Sequence, residues 1–492
     1  MEHGITVRYA STPLTPPRSV DATMPVAVGV APVWKTAAHR TDAVNVPILA
    51  VDFADVEAAL GYSAPVGAGT LKSWTEYTLC EVMHAYFTRY GLTPAVFINC
   101  FDPYGNPDHR TVDSVNQQTL DGGSVTIQVD DAFVESILID NLVVQDEAAE
   151  VTYDLDVDYT ADYDDDFRVV IARIEGGAIL ADDAILTVTY SQALPSGVTA
   201  DDVVAALDQV ENVYYRHGKL PGQIVAPLWS IDTGVAAKMI AVAASIDGSY
   251  SCQAWVDIDT DAAIGADVYT EVYGIKVANG WSEPDMGVCW PLFTKANYVY
   301  HASTDAACDM SETAHDHDGV PSHSPSNKRL LIDGCVDKAG NSIYLTRLKA
   351  NVLNDQGIVT AIRAEDEWRL WGNRTAATPS SVDPAEYFIP NRAMMRYVGN
   401  TIVRTFFNKV DEPISRRFVS SFQDSVNDWL NGLIARGHLL SGKCEFLQGD
   451  NPITSLIDGV VEFRVNLGLQ GAAESIVVNI AMDPSAMTAL WS

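Results

Sequence analysis

The chain has 492 residues, 47% of them hydrophobic, and a formal net charge of −34. That length predicts roughly three domains, and the acidic excess argues against nucleic acid as a partner, because phosphate binding needs Lys and Arg. No run of about 18 apolar residues occurs, and the opening MEHGITVRYA lacks a basic stretch followed by an apolar one. Membrane insertion and export are therefore not expected, and the cytosol is the expected compartment. The seven scattered cysteines contain no CxxC pair, which predicts free, buried thiols.

Residues 1–25 read as an extended arm. Ile5, Val7 and Tyr9 alternate like a strand, and Pro13, Pro16 and Pro17 then forbid a helix. From 26 to 103 the rhythm is α/β. Residues 25–29 (PVAVG), 46–51 (VPILAV) and 95–101 (AVFINCF) are buried-strand runs. Residues 75–90 form an amphipathic helix with Leu79, Val82, Met83, Tyr86 and Phe87 on one side. Strand, helix and strand with short links predict a parallel sheet.

Residues 104–198 break that rhythm and read as an inserted all-β domain. Strands are expected at 125–129, 137–144, 151–159, 167–174 and 185–190. The cleanest alternation is 151–159, where Val151, Tyr153, Leu155, Val157 and Tyr159 interleave with Thr152, Asp154, Asp156 and Asp158. Between 121 and 200 stand 18 Asp/Glu and 2 Arg/Lys, a net of −16. Asp162, Asp164, Asp165 and Asp166 lack the spacing and glycine of a calcium loop, so a solvated acidic face is expected.

The α/β pattern returns over 199–383. A capping signal at Thr199–Asp202 opens a helix that Gly218 stops. Strands are expected at 223–226, 251–258 and 358–364, and helices at 234–246 and 345–355. Residues 260–345 read as irregular. Over 384–458 two long helices are expected, at 390–409 and 414–436. Across 390–443 eight Lys/Arg face four Asp/Glu, a net of +4 against the sign of the chain; such a reversal reads first as a solvated basic face, the alternative being a surface that meets a negatively charged partner. Residues 459–492 read as a C-terminal hairpin arm: VVEFRVNLGL, a short turn, then IVVNIAM. Phe463, Val465 and Leu467 share one face. A two-stranded hairpin is marginal alone in water, so its edges need partners: either it completes the protein's own sheet, or it pairs with strands from other copies of the protein.

Motifs for chemistry are sparse. The stretch 67–72 (GAGTLK) lacks the GKS/T ending of a phosphate loop, and no GxSxG, GxGxxG or HExxH occurs. His315, His317 and Asp318, with His323 nearby and His301 upstream, are dense enough for zinc, but they sit in a Ser/Pro/Gly-rich stretch without a recognisable general base. No catalytic residue, metal or cofactor is expected. Two rival readings remain: a secreted or surface binding module using the acidic β domain, and a metal-dependent hydrolase using His315 and His317.

The order of parts resembles the contractile tail sheath proteins of bacteriophages, R-type bacteriocins and contractile injection systems. The opening 3–7 (HGITV), 27–32 (AVGVAP), 321–327 (PSHSPSN), 357–360 (GIVT), 371–375 (WGNRT) and the closing hairpin carry the resemblance. It covers about 1–103 and 200–492. It implies a subunit that stacks in six-membered rings as a helical sleeve around a tail tube and contracts to drive the tube through a cell envelope. The implied partners are the subunit itself, the tube, baseplate and tail-terminator proteins. The particle would assemble in the bacterial cytoplasm and stay part of the virion or tailocin tail. The resemblance further implies that both arms join sheets of neighbouring subunits, through Ile5, Val7, Tyr9, Val461, Phe463, Val465, Leu467, Ile476, Val478 and Ile480. The late helical region would face the tube, with Arg404, Arg416 and Arg417 as candidate contacts.

Overall fold

A computed structural model describes residues 22–36, 41–67, 69–130 and 132–482. Its centre is an eight-stranded mixed sheet of β1 (Pro25–Gly29), β2 (Pro47–Ala50), β3 (Ala95–Asn99), β4 (Gln223–Val225), β5 (Gln253–Asp257), β6 (Met286–Cys289), β7 (Ile358–Ala364) and β8 (Glu367–Trp371), in the order β8-β7-β6-β5-β4-β1-β3-β2. The strands from β7 through β3 run parallel. All residues of β1, β3, β4, β5 and β6 are buried, as expected of a parallel sheet covered on both faces. The α/β core sheet is thus mixed and largely parallel: at its edges β2 pairs antiparallel with β3, against the parallel pairing expected of that strand–helix–strand run, and β8 pairs antiparallel with β7.

Helices α1 (Phe53–Leu60), α2 (Thr78–Met83), α3 (Ala200–Leu207), α4 (Thr233–Ala244), α5 (Ala302–His315) and α6 (Arg347–Asn354) pack around this sheet. At the start of α3, Asp202 accepts from the Thr199 amide and hydroxyl, so the capping signal works with Asp in the usual place of Glu. The expected helix at 75–90 is α2 followed by a π-helical turn, His84–Arg89. The wider turn sets Arg89 and Tyr90 beside Asp305 of α5.

Residues 260–345 are not irregular. They contain β6, a three-stranded sheet and α5. Twelve of the fourteen α5 residues are buried. The helix was hidden because its buried face is polar, with Ser303, Thr304, Asp305, Asp309 and Ser311 in place of an apolar stripe. Most of these find partners: Ser303 on Asp257, Thr304 on Glu81, Asp305 on Arg89 and Tyr90, Ser311 on Gln223. Asp309 lacks one, and burial pushes its carboxyl well above the usual range.

The segment between β3 and α3 holds two three-stranded antiparallel sheets around a hydrophobic cluster of their own, including Ile127, Val144, Ile171, Leu186 and Val188. Strands form at Val169–Arg173 and Ile185–Tyr190. The 137–144 run instead makes a 3-10 turn before a strand at Val143–Asp146, and 125–129 is split between two short strands. The cleanest alternation, 151–159, is mostly turns. Its aspartates bond backbone amides instead: Asp158 accepts from the nearby Asp154 amide and from the Ala178 amide, and Asp156 takes a left-handed φ of 63°, while Asp146 just before the stretch accepts from Glu150 and Val151. Asx-type bonding competes with a ladder wherever Asp is this dense.

Candidate functional site

Two further helices, α7 (Ile389–Phe406) and α8 (Arg416–Ala435), lead into the strands β9 (Ser441–Glu445) and β10 (Arg464–Gly468). α7 is fixed by its own basic residues. Arg392 forks onto Asp285 at 2.8 and 2.7 Å, and buried Arg396 reaches the same carboxylate at 2.6 Å. Burial alone would raise the Asp285 pKa; the two guanidinium groups override it and hold the carboxyl below its ordinary range. α8 turns Val426, Leu430 and Leu433 inward, and Asn427 clamps both backbone groups of Cys444 in β9.

β9 pairs antiparallel with β10, with Lys443 opposite Asn466 and Glu445 opposite Arg464. The expected closing hairpin is therefore corrected. The run containing Val465 and Leu467 pairs with β9 of its own chain and not with 476–480. Val461 and Phe463 precede the strand. Phe463 stacks on Phe422 at 4.0 Å and lies 5.7 Å from Phe446; Phe422 in turn packs on Phe406 at 4.2 Å. The physical reason is that α8 presents β9 as a ready edge beside this aromatic group. The sequence of β9, SGKCE, has no apolar alternation to reveal it. Beyond β10, Ile476, Val478 and Ile480 form no strand and are 81%, 74% and 93% exposed. Ile5, Val7 and Tyr9 lie outside the described residues.

The segments 321–327, 357–360 and 371–375 meet in one knot. β7 and β8 are a hairpin, and Gly372 ends it with φ 148°, where a Cβ would come within 2.8 Å of Val359 Cα. Ser326 Oγ accepts from the Gly372 amide at 3.1 Å, and Ser324 Oγ donates to Asn373. Thr375 Oγ1 donates to the Glu386 carbonyl at 2.8 Å. Arg374 points out of this knot and forks onto Glu474 of the C-terminal segment, Nη2 at 2.7 Å and Nε at 3.1 Å. The knot thereby carries the root of the exposed 476–482 run.

The basic residues of the helical region do not form one face. Arg392 and Arg396 are spent on Asp285. Arg404 donates to the Gly218 carbonyl at 3.2 Å, Lys409 pairs with Glu412, and Lys443 with Glu445. Arg416 and Arg417 are exposed at the start of α8. They adjoin a connecting loop whose Phe407, Val410 and Ile414 are 74%, 64% and 42% exposed.

The histidines do not converge on a reaction centre. His301 caps the start of α5 and holds Glu81 at 2.8 Å. Burial would lower its pKa, but Glu81 raises it to about 9. It lines a cavity of about 450 Å³ at the carboxyl edge of the sheet together with Asp257, Thr260 and Lys338. His315 lines a different cavity beside Glu312 and Asp316. His317 stacks on His323, and Asp318 turns toward His438, a residue with no local motif to mark it. Among the described residues no group of three or more His, Cys, Asp or Glu is arranged to hold a metal ion, and all seven cysteines are free and buried.

No protein-family profile matches the chain. The tail sheath protein of Burkholderia phage BcepMu is 26% identical over 482 residues, 93% of this chain and 91% of that protein. Two solved structures share the fold with a TM-score of 0.57 and 14% identity. The anti-feeding prophage baseplate, 6-fold symmetrised, covers 98% of this chain and 99% of its own. An extracellular contractile injection system, the PVC sheath complex in its contracted state, covers 99% of each. The fold is thus that of contractile sheath subunits. The chain's homologues are tail sheath proteins, and the resemblance read from the sequence stands.

Proposed function

We propose that this chain is the subunit of a contractile tail sheath: it polymerises as a helical stack of six-membered rings around a tail tube and shortens to drive that tube through a cell envelope. The observation that carries this reading is the relation to a tail sheath protein along nearly the whole of both chains, joined to the shared fold. It needs no catalytic residue or cofactor, and a separate secreted binding role or a His315/His317 hydrolase finds no support. The parts divide as arm 1–25, core 26–103 and 199–383, acidic insertion 104–198, helical region 384–458 and arm 459–492.

Assembly follows from surfaces that do not close on themselves. The exposed apolar run at 476–482, fastened at Glu474, is suited to adding a strand to a neighbouring subunit. Its natural receptor is the β9–β10 sheet of the next copy, where Val465 and Leu467 already form one layer; the 1–25 arm would join the same mesh. Tube contact is assigned to the apolar and basic loop before α8, with Arg416 and Arg417; Arg404, engaged with Gly218, is a weaker candidate. Baseplate and tail-terminator proteins would bound the sleeve, built in the bacterial cytoplasm and retained in the released virion or tailocin. The test is negative-stain microscopy of the purified protein, alone and with its tube protein. Rings or sleeves are expected; monomers under every condition would overturn the reading.

A further inference from the structure

The histidines left over from the assembly reading form a junction between the core and the helical region. His317, just past the end of α5, and His323 stack with ring centroids 3.6 Å apart and 19° from parallel. His317 Nδ1 donates to the Thr313 carbonyl at 2.6 Å. Ser322 Oγ lies 3.0 Å from His323 Nδ1 and 2.9 Å from His438 Nδ1. A hydroxyl has one hydrogen, so this bridge is complete when one ring offers a lone pair and the other an N–H. On its other side His438 Nε2 faces Asp318 at 3.5 Å, and Arg436 reaches the same carboxylate at 4.0 Å. Asp318 itself stands in a left-handed turn, φ 60°, that aims it across the junction. Lys328 adds positive charge near His323.

We propose that the Ser322 bridge between His323 and His438 is a proton-sensitive clasp: with both rings neutral, it holds the end of α8 and the start of β9 against the end of α5, and with both protonated, it lets go. The groups facing it are His317, Asp318, Lys328 and Arg436. A proton on His323 meets the positive charge of Lys328, and one on His438 meets that of Arg436, while Asp318 opposes the second repulsion. Protonating both His323 and His438 also makes both Nδ1 atoms donors, which leaves the Ser322 hydroxyl hydrogen without a nitrogen to bond. Burial is the largest cause that holds His323 and His438 below the ordinary 6.5; Lys328 adds to it at His323, and at His438 the hydrogen bond to Asp318 opposes it while Arg436 adds to it. A depressed imidazole pKa means that the opened state binds protons more readily than the closed one. The clasp is therefore at full strength above pH 6.5 and weakens as pH falls below it. By contrast, α7 is held by Arg392 and Arg396 on Asp285, which do not titrate in that range. Because β9 carries β10 and the root of the C-terminal segment, the clasp sets how firmly that root is held.

The inference rests on the geometry of one chain and stands apart from the sheath reading. Its test is hydrogen exchange of the full-length protein between pH 7.5 and 5.5, corrected for intrinsic rates. Protection over 433–445 is expected to fall toward pH 5.5, by at most about tenfold for each of His323 and His438, while 389–400 keeps its protection. The double variant His323→Gln with His438→Gln should flatten the loss over 433–445; an unchanged pH dependence in that variant would overturn the proposal. Should the double variant fail to fold, NMR titration of the unaltered protein decides. His323 and His438 titrating below 6.5 support the clasp, and either one titrating at or above 6.5 refutes it.

Discussion

Residues 464–468 and 476–480 have similar chemistry and opposite fates. In both, apolar residues flank an asparagine: Val465-Asn466-Leu467 in the first and Val478-Asn479-Ile480 in the second. The first is paired, packed and pinned by Phe463 on Phe422. The second has no partner among the described residues and shows Ile476, Val478 and Ile480 to solvent. Strand propensity is common to both, so it does not decide the outcome. What decides is whether the chain supplies an edge. α8 and Asn427 position β9 for the first run; nothing in the described chain is positioned for the second. Under the proposed sheath reading this unpaired run would be offered to a neighbouring subunit; in a monomer it would be an aggregation hazard.

The largest expected effect breaks the comparison outright. Truncation after Gly468 should abolish sleeve formation while leaving the thermal unfolding of the subunit unchanged. A cut at 459 is a poorer test, because it strips β10 and Phe463 from the fold as well. Sleeves from the protein truncated after Gly468 would sink the strand-donation idea. Next comes Asp285→Ala, which strands buried Arg396 without its carboxylate. Breaking a buried pair in this way costs about 3–5 kcal/mol, and urea unfolding should show it, with the paired limb lost along with α7. Phe463→Ala should cost roughly 2 kcal/mol, below the range for a fully buried ring because this one is half-buried. It should also expose β10 to proteases, making the paired limb behave like the free one.

The parallel core was legible because its strands are continuous apolar runs, and the helical region because its long helices are amphipathic. α8 shows this at Val426, Leu430 and Leu433, and Gly218, with φ 65°, closed its helix where expected. What escaped was held together by polar side chains. α5 is buried through Asp305, Ser303 and Ser311, whose partners lie up to hundreds of positions away in sequence, and no periodicity reports such pairings. The 151–159 stretch failed for the converse reason, since its aspartates bond to nearby backbone. At the assembly surfaces, composition revealed a basic excess over 390–443 but not its direction. Arg392 and Arg396 point inward to a carboxylate at position 285, and only contact between distant segments separates them from exposed Arg416 and Arg417. His438 carried no local motif; its role exists only through Ser322 and Asp318.

The smallest effect is the most discriminating. Arg374 and Glu474 make a forked ion pair between two side chains that are each about a third exposed. Solvent screens such a pair, so Arg374→Ala should change global stability by less than about 1 kcal/mol. The fork nevertheless joins the β7–β8 knot to the otherwise weakly held segment after β10, where Gln470 donating to the Gly437 carbonyl is a second tie. Losing it should leave the melting curve in place and raise proteolytic cleavage and amide exchange over 470–482. Arg374→Lys keeps the charge but not the two-pronged geometry, so it should resemble the alanine variant more than the parent. Sleeve assembly by both variants should be slower, because the free limb would search more orientations before meeting a neighbour. If both variants assembled at the parental rate while 470–482 became more mobile, the direction in which the limb leaves the core would be irrelevant to polymerisation. The unpaired run alone, and not its anchorage, would then direct assembly.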